Sequence, residues 1–257
     1  MQCLFPITVK NSKTGTYIKV PCGRCAPCLS RRARDWSFRL QAELDSPLLV
    51  IADFLTLTYN DDNLVYAGDK PVLVKKDLQD FFKRLRKFLT FRYFAVGEYG
   101  GQFGRPHYHL LMFIHSQVTM DVYRYYVEKC WDKGFTSHGT ITPKSINYVT
   151  FYILKQSYDD KYNSVTPPFQ IMSKRPFLGV SFLSDNVESY IADNHRSIHA
   201  IGSIYSIPRI FLRKALGENY SDGFICEWLP PELNLSPDDL HELNQNLLHK
   251  FQKHKHL

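Results

Sequence analysis

Two histidines stand at i and i+2 in Arg105-Pro106-His107-Tyr108-His109-Leu110, just past a Gly-rich stretch that follows Glu98. If the residues flanking that stretch are paired strands, alternation sends His107, His109, Leu111 and Phe113 to one face. Tyr108, Leu110, Met112 and Ile114 go to the other. Both imidazoles then project side by side, and Glu98 arrives from the neighbouring strand. Two imidazoles and a carboxylate on rigid backbone suit a divalent metal with open positions for phosphate oxygens and water. Mg2+ or Mn2+ is the expected ion, and two imidazoles favour Mn2+.

A second group lies further on. Tyr148, Tyr152 and Lys155 fall at i, i+4 and i+7 of a helix expected over residues 145–155, with Ser145 as its cap. Two phenols and an ammonium thus share one stripe. Such a stripe alone is usually packing; beside a metal-binding histidine pair in a basic protein it suits attack on phosphorus. A phenol ionises near ~10, so the metal's field, a cation or a base must activate it. Lys155 is placed to stabilise the phenolate or the charge building on phosphate.

A third group is Cys22, Cys25 and Cys28, in the spacing C-x-x-C-x-x-C, with Cys3 as the fourth candidate brought back by a hairpin through Lys13-Thr14-Gly15-Thr16. Short spacers containing Gly or Pro let a tight knuckle aim thiolates at one tetrahedral Zn2+. An iron–sulfur site or a plain set of thiols is the alternative. Four protein thiolates leave no position for substrate, so the role would be structural. Cys130 and Cys226 are isolated and read as small buried hydrophobes.

The net charge of +7, with 16 Tyr and 18 Phe interleaved with Lys and Arg, favours a polyanionic partner. Nucleic acid comes first, because bases stack on aromatic rings. The start, Met1-Gln2-Cys3-Leu4-Phe5-Pro6, lacks a basic leader and a long apolar run. The longest apolar stretch, residues 47–57, is interrupted by Asp53 and is too short to span a bilayer. A cytosolic protein with no membrane partner is expected.

These groups need elements to position them. Leu29, Ala33, Trp36 and Leu40 recur at helical spacing, leaving Arg31, Arg32, Arg34 and Arg39 largely off that stripe, as a DNA-binding or simply solvated face. Phe54 to Tyr59 alternates as a strand, followed by turn residues. A helix is expected over 74–89 with Leu78, Phe81, Phe82, Leu85 and Leu89 inward, then strands over 91–98 and 107–114, a helix over 120–131 and a strand over 134–141. Ser173-Lys174-Arg175-Pro176 is a basic turn, with Lys174 and Arg175 either on a DNA backbone or exposed. A capped helix is expected over 184–194, a strand over 198–206, a helix from Pro208 to about residue 216, and turns over 217–231. A terminal helix is opened by Ser236 and Pro237. His249, His254 and His256 read as a solvated tail.

The run Phe54-Leu55-Thr56-Leu57-Thr58-Tyr59, the His107-Tyr108-His109 motif and Tyr148-x-x-x-Tyr152-x-x-Lys155 resemble, in order, the three motifs of HUH endonucleases that start rolling-circle replication. More narrowly, Pro21-Cys22-Gly23-x-Cys25-x-x-Cys28 and Ser173-Lys174-Arg175-Pro176-x-x-Gly179 look like the replication initiators of microviruses, particularly the gokushovirus branch. The resemblance runs to about Leu216. It implies an α+β fold: a central antiparallel β-sheet flanked by helices, ferredoxin/RRM-like, with an N-terminal Cys-rich segment. Three domains follow: a Cys-rich segment and basic helix (1–45), an HUH endonuclease domain (46–216), and a tail with a helix (217–257).

The resemblance also implies that His107 and His109 bind the metal, that Tyr148 and Tyr152 are nucleophiles, and that Lys155 assists. Glu98 as third ligand comes from strand pairing instead. The implied activity is a phage initiator that nicks single-stranded origin DNA through a covalent 5′-phosphotyrosine and rejoins it later. Its partners would be origin DNA and the host helicase and polymerase, in the bacterial cytoplasm. A transposase or relaxase of the same superfamily, or a non-catalytic zinc-containing origin-binding protein, are the alternatives. The loop Arg175-Pro176-Phe177-Leu178-Gly179 is bulkier than the Pro-Gly-Ile-Gly of relatives, which leaves that loop's role open.

Overall fold

Strict alternation shapes the central strand. In β3 (Ile51–Tyr59) every odd position is buried and every even one half-buried, the period-two signature of a strand with unequal faces. The computed structural model describes residues 3–12, 14–101, 104–155, 165–183, 197–200, 203–215, 217 and 235–253, of which 153–155, 197–200, 203–206 and 251–253 through their backbone only. The helix expected over 184–194 and most of the turn-rich stretch after 217 lie outside the described residues, as does Cys226.

The chain divides into two compact units, Ser37–Phe182 and Met1–Trp36 with Leu183–Leu257. The first is built on β3, β6 (Phe91–Tyr99), β7 (Pro106–Ile114), β8 (Gly134–Gly139) and β9 (Phe169–Met172). They form one five-stranded sheet in the order β8-β3-β7-β6-β9, antiparallel at every pairing. A small hairpin, β4 (Tyr66–Ala67) and β5 (Lys70–Pro71), precedes α2 (Lys75–Leu85). The fold is α+β, as expected.

One sheet face, with Leu55, Leu57, Tyr93, Ala95, Tyr108, Leu110 and Met112, packs against α2 and α3 (Met120–Cys130). Leu78, Phe81, Phe82 and Leu85 supply the α2 stripe; Tyr123, Val127 and Cys130 supply that of α3. Burying a side chain of this size stabilises by about 1.5–3 kcal/mol, so this one-sided core is the rigid base of the unit. Asp53 interrupts the apolar run of β3 at little cost: its buried carboxylate accepts from the Tyr123 hydroxyl (2.8 Å) and lies 2.7 Å from His138 Nδ1. Gly134 opens β8 because a Cβ there would sit 2.2 Å from the Thr58 carbonyl oxygen, at φ +157°.

Two helix boundaries differ from expectation. α2 ends at Leu85 because the following amides turn back on carbonyls three residues earlier, Lys87 on Arg84 and Phe88 on Leu85. Leu89 stays buried past the helix end. The tyrosine helix α4 (Pro143–Lys155) starts two residues early. Thr142 caps it, its Oγ1 accepting the Ser145 amide (3.2 Å) while Ser145 Oγ accepts the Thr142 amide (2.7 Å). Pro143 then occupies the first helical position, where its missing N–H costs nothing.

The other unit holds the hairpin β1 (Ile7–Lys10) and β2 (Tyr17–Val20), the first part of α1 (Ala26–Leu44), the hairpin β10 (Ser197–Ala200) and β11 (Ser203–Ser206), α5 (Arg209–Ala215) and α6 (Pro237–Lys253). α6 is capped as expected, Ser236 Oγ accepting the Asp239 amide and the Asp239 carboxylate accepting the Ser236 amide. Among the described residues, no helix is long and apolar enough to cross a membrane.

Candidate metal centre and tyrosine pair

On the sheet face opposite the α2–α3 core, β6 and β7 set Glu98 directly across from His107. The two-residue offset along β7 brings His109 beside it on the same face. Glu98 Oε1 lies 3.0 Å from His107 Nε2 and 3.0 Å from His109 Nε2. The three ligand atoms fall within 4.8 Å of one another.

The far side of each imidazole is fixed. His107 Nδ1 donates to the Arg105 carbonyl oxygen (3.1 Å), since a carbonyl only accepts. His109 Nδ1 bonds Thr56 Oγ1 (2.9 Å), and Phe54 stacks on the same ring at 5.3 Å between centroids. Arg105 is itself held by Asp61 and the Tyr59 carbonyl. A backbone or hydroxyl partner on Nδ1 leaves Nε2 for an ion, the outer arrangement usual around metal-bound histidine. The donor set therefore fits a divalent cation, with one carboxylate and two imidazoles and room for further oxygen ligands.

Without an ion the three groups hold one another's charge. Burial disfavours the Glu98 carboxylate, but bonds and charge from His107 and His109 outweigh it, taking its carboxyl from 4.5 down to about 2. Burial also pulls His107 down, yet Glu98 and the Arg105 carbonyl outweigh this and raise it above 6.5.

α4 packs on β6 and β7 and lowers its phenols onto this centre. Tyr148 donates to Glu98 Oε1 (2.8 Å) with its ring edge-on to His109. Tyr152, one turn on and 3% exposed, donates to the Tyr148 hydroxyl (2.8 Å). The two phenols form a relay ending on Glu98, and they are not equivalent. Burial, then the negative charge of Glu98, push the Tyr148 phenol above its usual 10. Lys155 closes α4, with its side chain outside the described residues.

The remaining candidates fall elsewhere. Cys3, Cys22, Cys25 and Cys28 converge in the other unit, all sulfurs within 4.8 Å of one another. On α1, Arg32 and Arg34 are exposed and Arg31 half-buried. Exposed Lys174 and Arg175 follow β9 and line a groove of about 1360 Å³ with Lys75, Arg86 and Arg92. Arg92 is six residues along β6 from Glu98, roughly 20 Å away at strand rise.

Sequence reasoning missed one residue. Thr58 pairs with His107 on one side and Phe135 on the other, so Phe135, Thr58, His107 and Glu98 form one row across four strands on one face. Phe135 is 68% exposed there. The only sequence signal is an aromatic in an otherwise small and polar strand, Gly-Phe-Thr-Ser-His-Gly, and its neighbours emerge only from strand order.

Residues 52–157, which carry the whole centre, match a family model described as a replication-associated protein of the ORF2 type. The chain is 28% identical to Replication-associated protein ORF2 of Spiroplasma virus 4, over 89% of this chain and 84% of that one. It is 26% identical to Replication-associated protein VP4 of Bdellovibrio phage phiMH2K, over 82% and 76% respectively. It is 27% identical to Replication-associated protein ORF4 of Chlamydia phage 1, over 78% of this chain and 55% of that longer one. No solved structure matches. The chain thus resembles, over most of its length, the replication-associated proteins of microviruses, in agreement with its three ordered motifs.

Proposed function

We propose that this chain is a phage replication initiator that nicks single-stranded origin DNA by tyrosine attack and later rejoins it. The observation that carries this reading is the meeting of four side chains on one carboxylate oxygen: His107, His109 and Tyr148 all contact Glu98 Oε1, with Tyr152 behind. The phage relatives named above support the replication role.

His107, His109 and Glu98 would hold Mg2+ or Mn2+. A bound ion would polarise a phosphodiester oxygen and cancel the Glu98 charge that holds Tyr148 protonated. Tyr148 is then the first nucleophile. Its phenolate oxygen bonds to phosphorus as the bond to the 3′ oxygen breaks, and that oxygen takes a proton and leaves as a 3′-hydroxyl. The 5′ phosphate stays on Tyr148, and the 3′ end serves a host polymerase. Tyr152 donates to the Tyr148 oxygen and so stabilises its phenolate; once Tyr148 is esterified, Tyr152 is the free phenol for a second transfer. Reversal of the step, with a 3′-hydroxyl attacking the phosphotyrosine, closes the circle. Phe135, at the end of the row through His107, offers a stacking surface for a base flanking the scissile phosphate. The setting would be the host cytoplasm, with helicase and polymerase as partners.

Incubation of the protein with end-labelled single-stranded origin DNA and Mn2+ tests the reading. A protein–DNA adduct surviving denaturation, absent with EDTA, is expected. Binding with neither cleavage nor adduct would overturn it.

A further inference from the structure

We propose that Cys3, Cys22, Cys25 and Cys28 hold one Zn2+ ion, and that this ion is what fastens the C-terminal helix α6 to the start of α1. Cys3 Sγ and Cys25 Sγ are 3.8 Å apart. That is far beyond a disulfide, and it equals the edge of a tetrahedron with Zn–S bonds of about 2.3 Å, which is about 3.8 Å. With all four sulfurs within 4.8 Å, the space between them suits a single ion and is too small for the irons and sulfides of a cluster.

The backbone is arranged for thiolates. The Arg24 and Cys25 amides point at Cys22 Sγ (3.4 and 3.3 Å), and the Cys22 amide points at Cys3 Sγ (3.2 Å). Amides aimed at sulfur offset negative charge, which four neutral thiols would not require. Gly23, at φ +74°, makes the tight turn that lets Cys22 and Cys25 face the same point. With four protein ligands the site is closed, so its work is structural.

The second half of the proposal rests on what surrounds the sulfurs. Leu240, Asn244 and Leu247 form one stripe of α6, at i, i+4 and i+7. Leu240 and Leu247 pack on the cysteine cluster with Phe5, and Asn244 Oδ1 accepts the Ala26 amide at the first turn of α1 (2.8 Å). Of this cluster only Cys3, Leu4 and Cys25 are fully buried. So small an apolar centre does not hold a helix by burial alone, and a metal is the usual remedy. The ion thus ties residues near both ends of the chain into one unit.

The test uses the full chain, expressed with zinc and purified under reducing conditions. Metal analysis should find one zinc per chain, retained by His107→Ala and by Cys130→Ser and lost from Cys22→Ser. Since losing a ligand can unfold this unit, a second measurement uses the unaltered sequence. Zinc is removed with a mercurial and EDTA while hydrogen exchange is followed over residues 237–253. Exchange there should speed up at least about tenfold, and return on re-adding zinc. Co2+ in place of zinc should give the visible absorption of a tetrahedral tetrathiolate site, shifted in Cys28→His. A folded protein with four freely titrating thiols and no zinc, or one holding iron instead, overturns the metal assignment. Zinc whose removal leaves exchange over 237–253 unchanged overturns the coupling to α6.

Discussion

The two candidate metal centres are opposite designs. Glu98, His107 and His109 stand on adjacent strands of a five-stranded sheet whose far face is packed by two helices, so the positions of the ligands are set before any ion arrives. The cysteines sit in a unit with little apolar core, on a knuckle and a chain end, and depend on the ion for their arrangement. Three oxygen and nitrogen ligands leave coordination positions open; four thiolates leave none. Rigidity comes from packing where the metal must do chemistry, and from the metal where packing is thin.

The largest effect that would break this contrast is at the tyrosines. Tyr148→Phe with Tyr152→Phe should reduce adduct formation at least about a thousandfold, leaving zinc content and the melting of the sheet unit unchanged. Tyr148→Phe alone should cost more than Tyr152→Phe in the first cleavage, because only Tyr148 touches Glu98. Equal losses in single-turnover assays would refute the asymmetry.

Next is Thr56→Val, which removes the partner of His109 Nδ1. Mn2+ affinity should fall roughly 10–100-fold, with cleavage restored at high Mn2+ and in Thr56→Ser. A loss that excess Mn2+ does not repair would show that Thr56 acts otherwise. Phe135→Ala should weaken single-strand binding by about 1–3 kcal/mol, roughly 5–150-fold, with little change in the single-turnover rate at saturating DNA. Unchanged binding would remove Phe135 from the DNA path.

The smallest effect concerns the metal-free centre. Glu98, lowered from 4.5 to about 2, contributes stability that is complete above about 4.5 and lost as pH falls through about 2. His107, raised above 6.5, contributes below 6.5 and loses this as pH rises through its raised value. In EDTA, wild type should out-melt Glu98→Gln most between about pH 4.5 and 6.5, by an amount on the order of 1–2 kcal/mol. A gap independent of pH would mean the pairing contributes nothing.

Much of this was legible in the chain because strands announce their faces. The alternation in β3 and around His107 and His109 separated the core side from the chemical side, and Tyr148 and Tyr152 one turn apart declared a common stripe. Register and strand order were not legible. The Gly-rich turn allows Glu98 to face His107 or miss it by one, and only the pairing puts them opposite. Phe135 and Thr56 join the centre through strands remote in sequence, so no local pattern marks them. The Thr142 cap was hidden by Ser145, an equally good capping residue that proves to be its reciprocal partner.

The most direct test is to isolate the covalent adduct from a single turnover with Mn2+, digest it, and locate the nucleotide by mass spectrometry. The account predicts a phosphotyrosyl linkage on Tyr148, moving to Tyr152 only when a second cleavage is permitted. A linkage on any residue outside α4, or cleavage that leaves the protein unmodified, would contradict it.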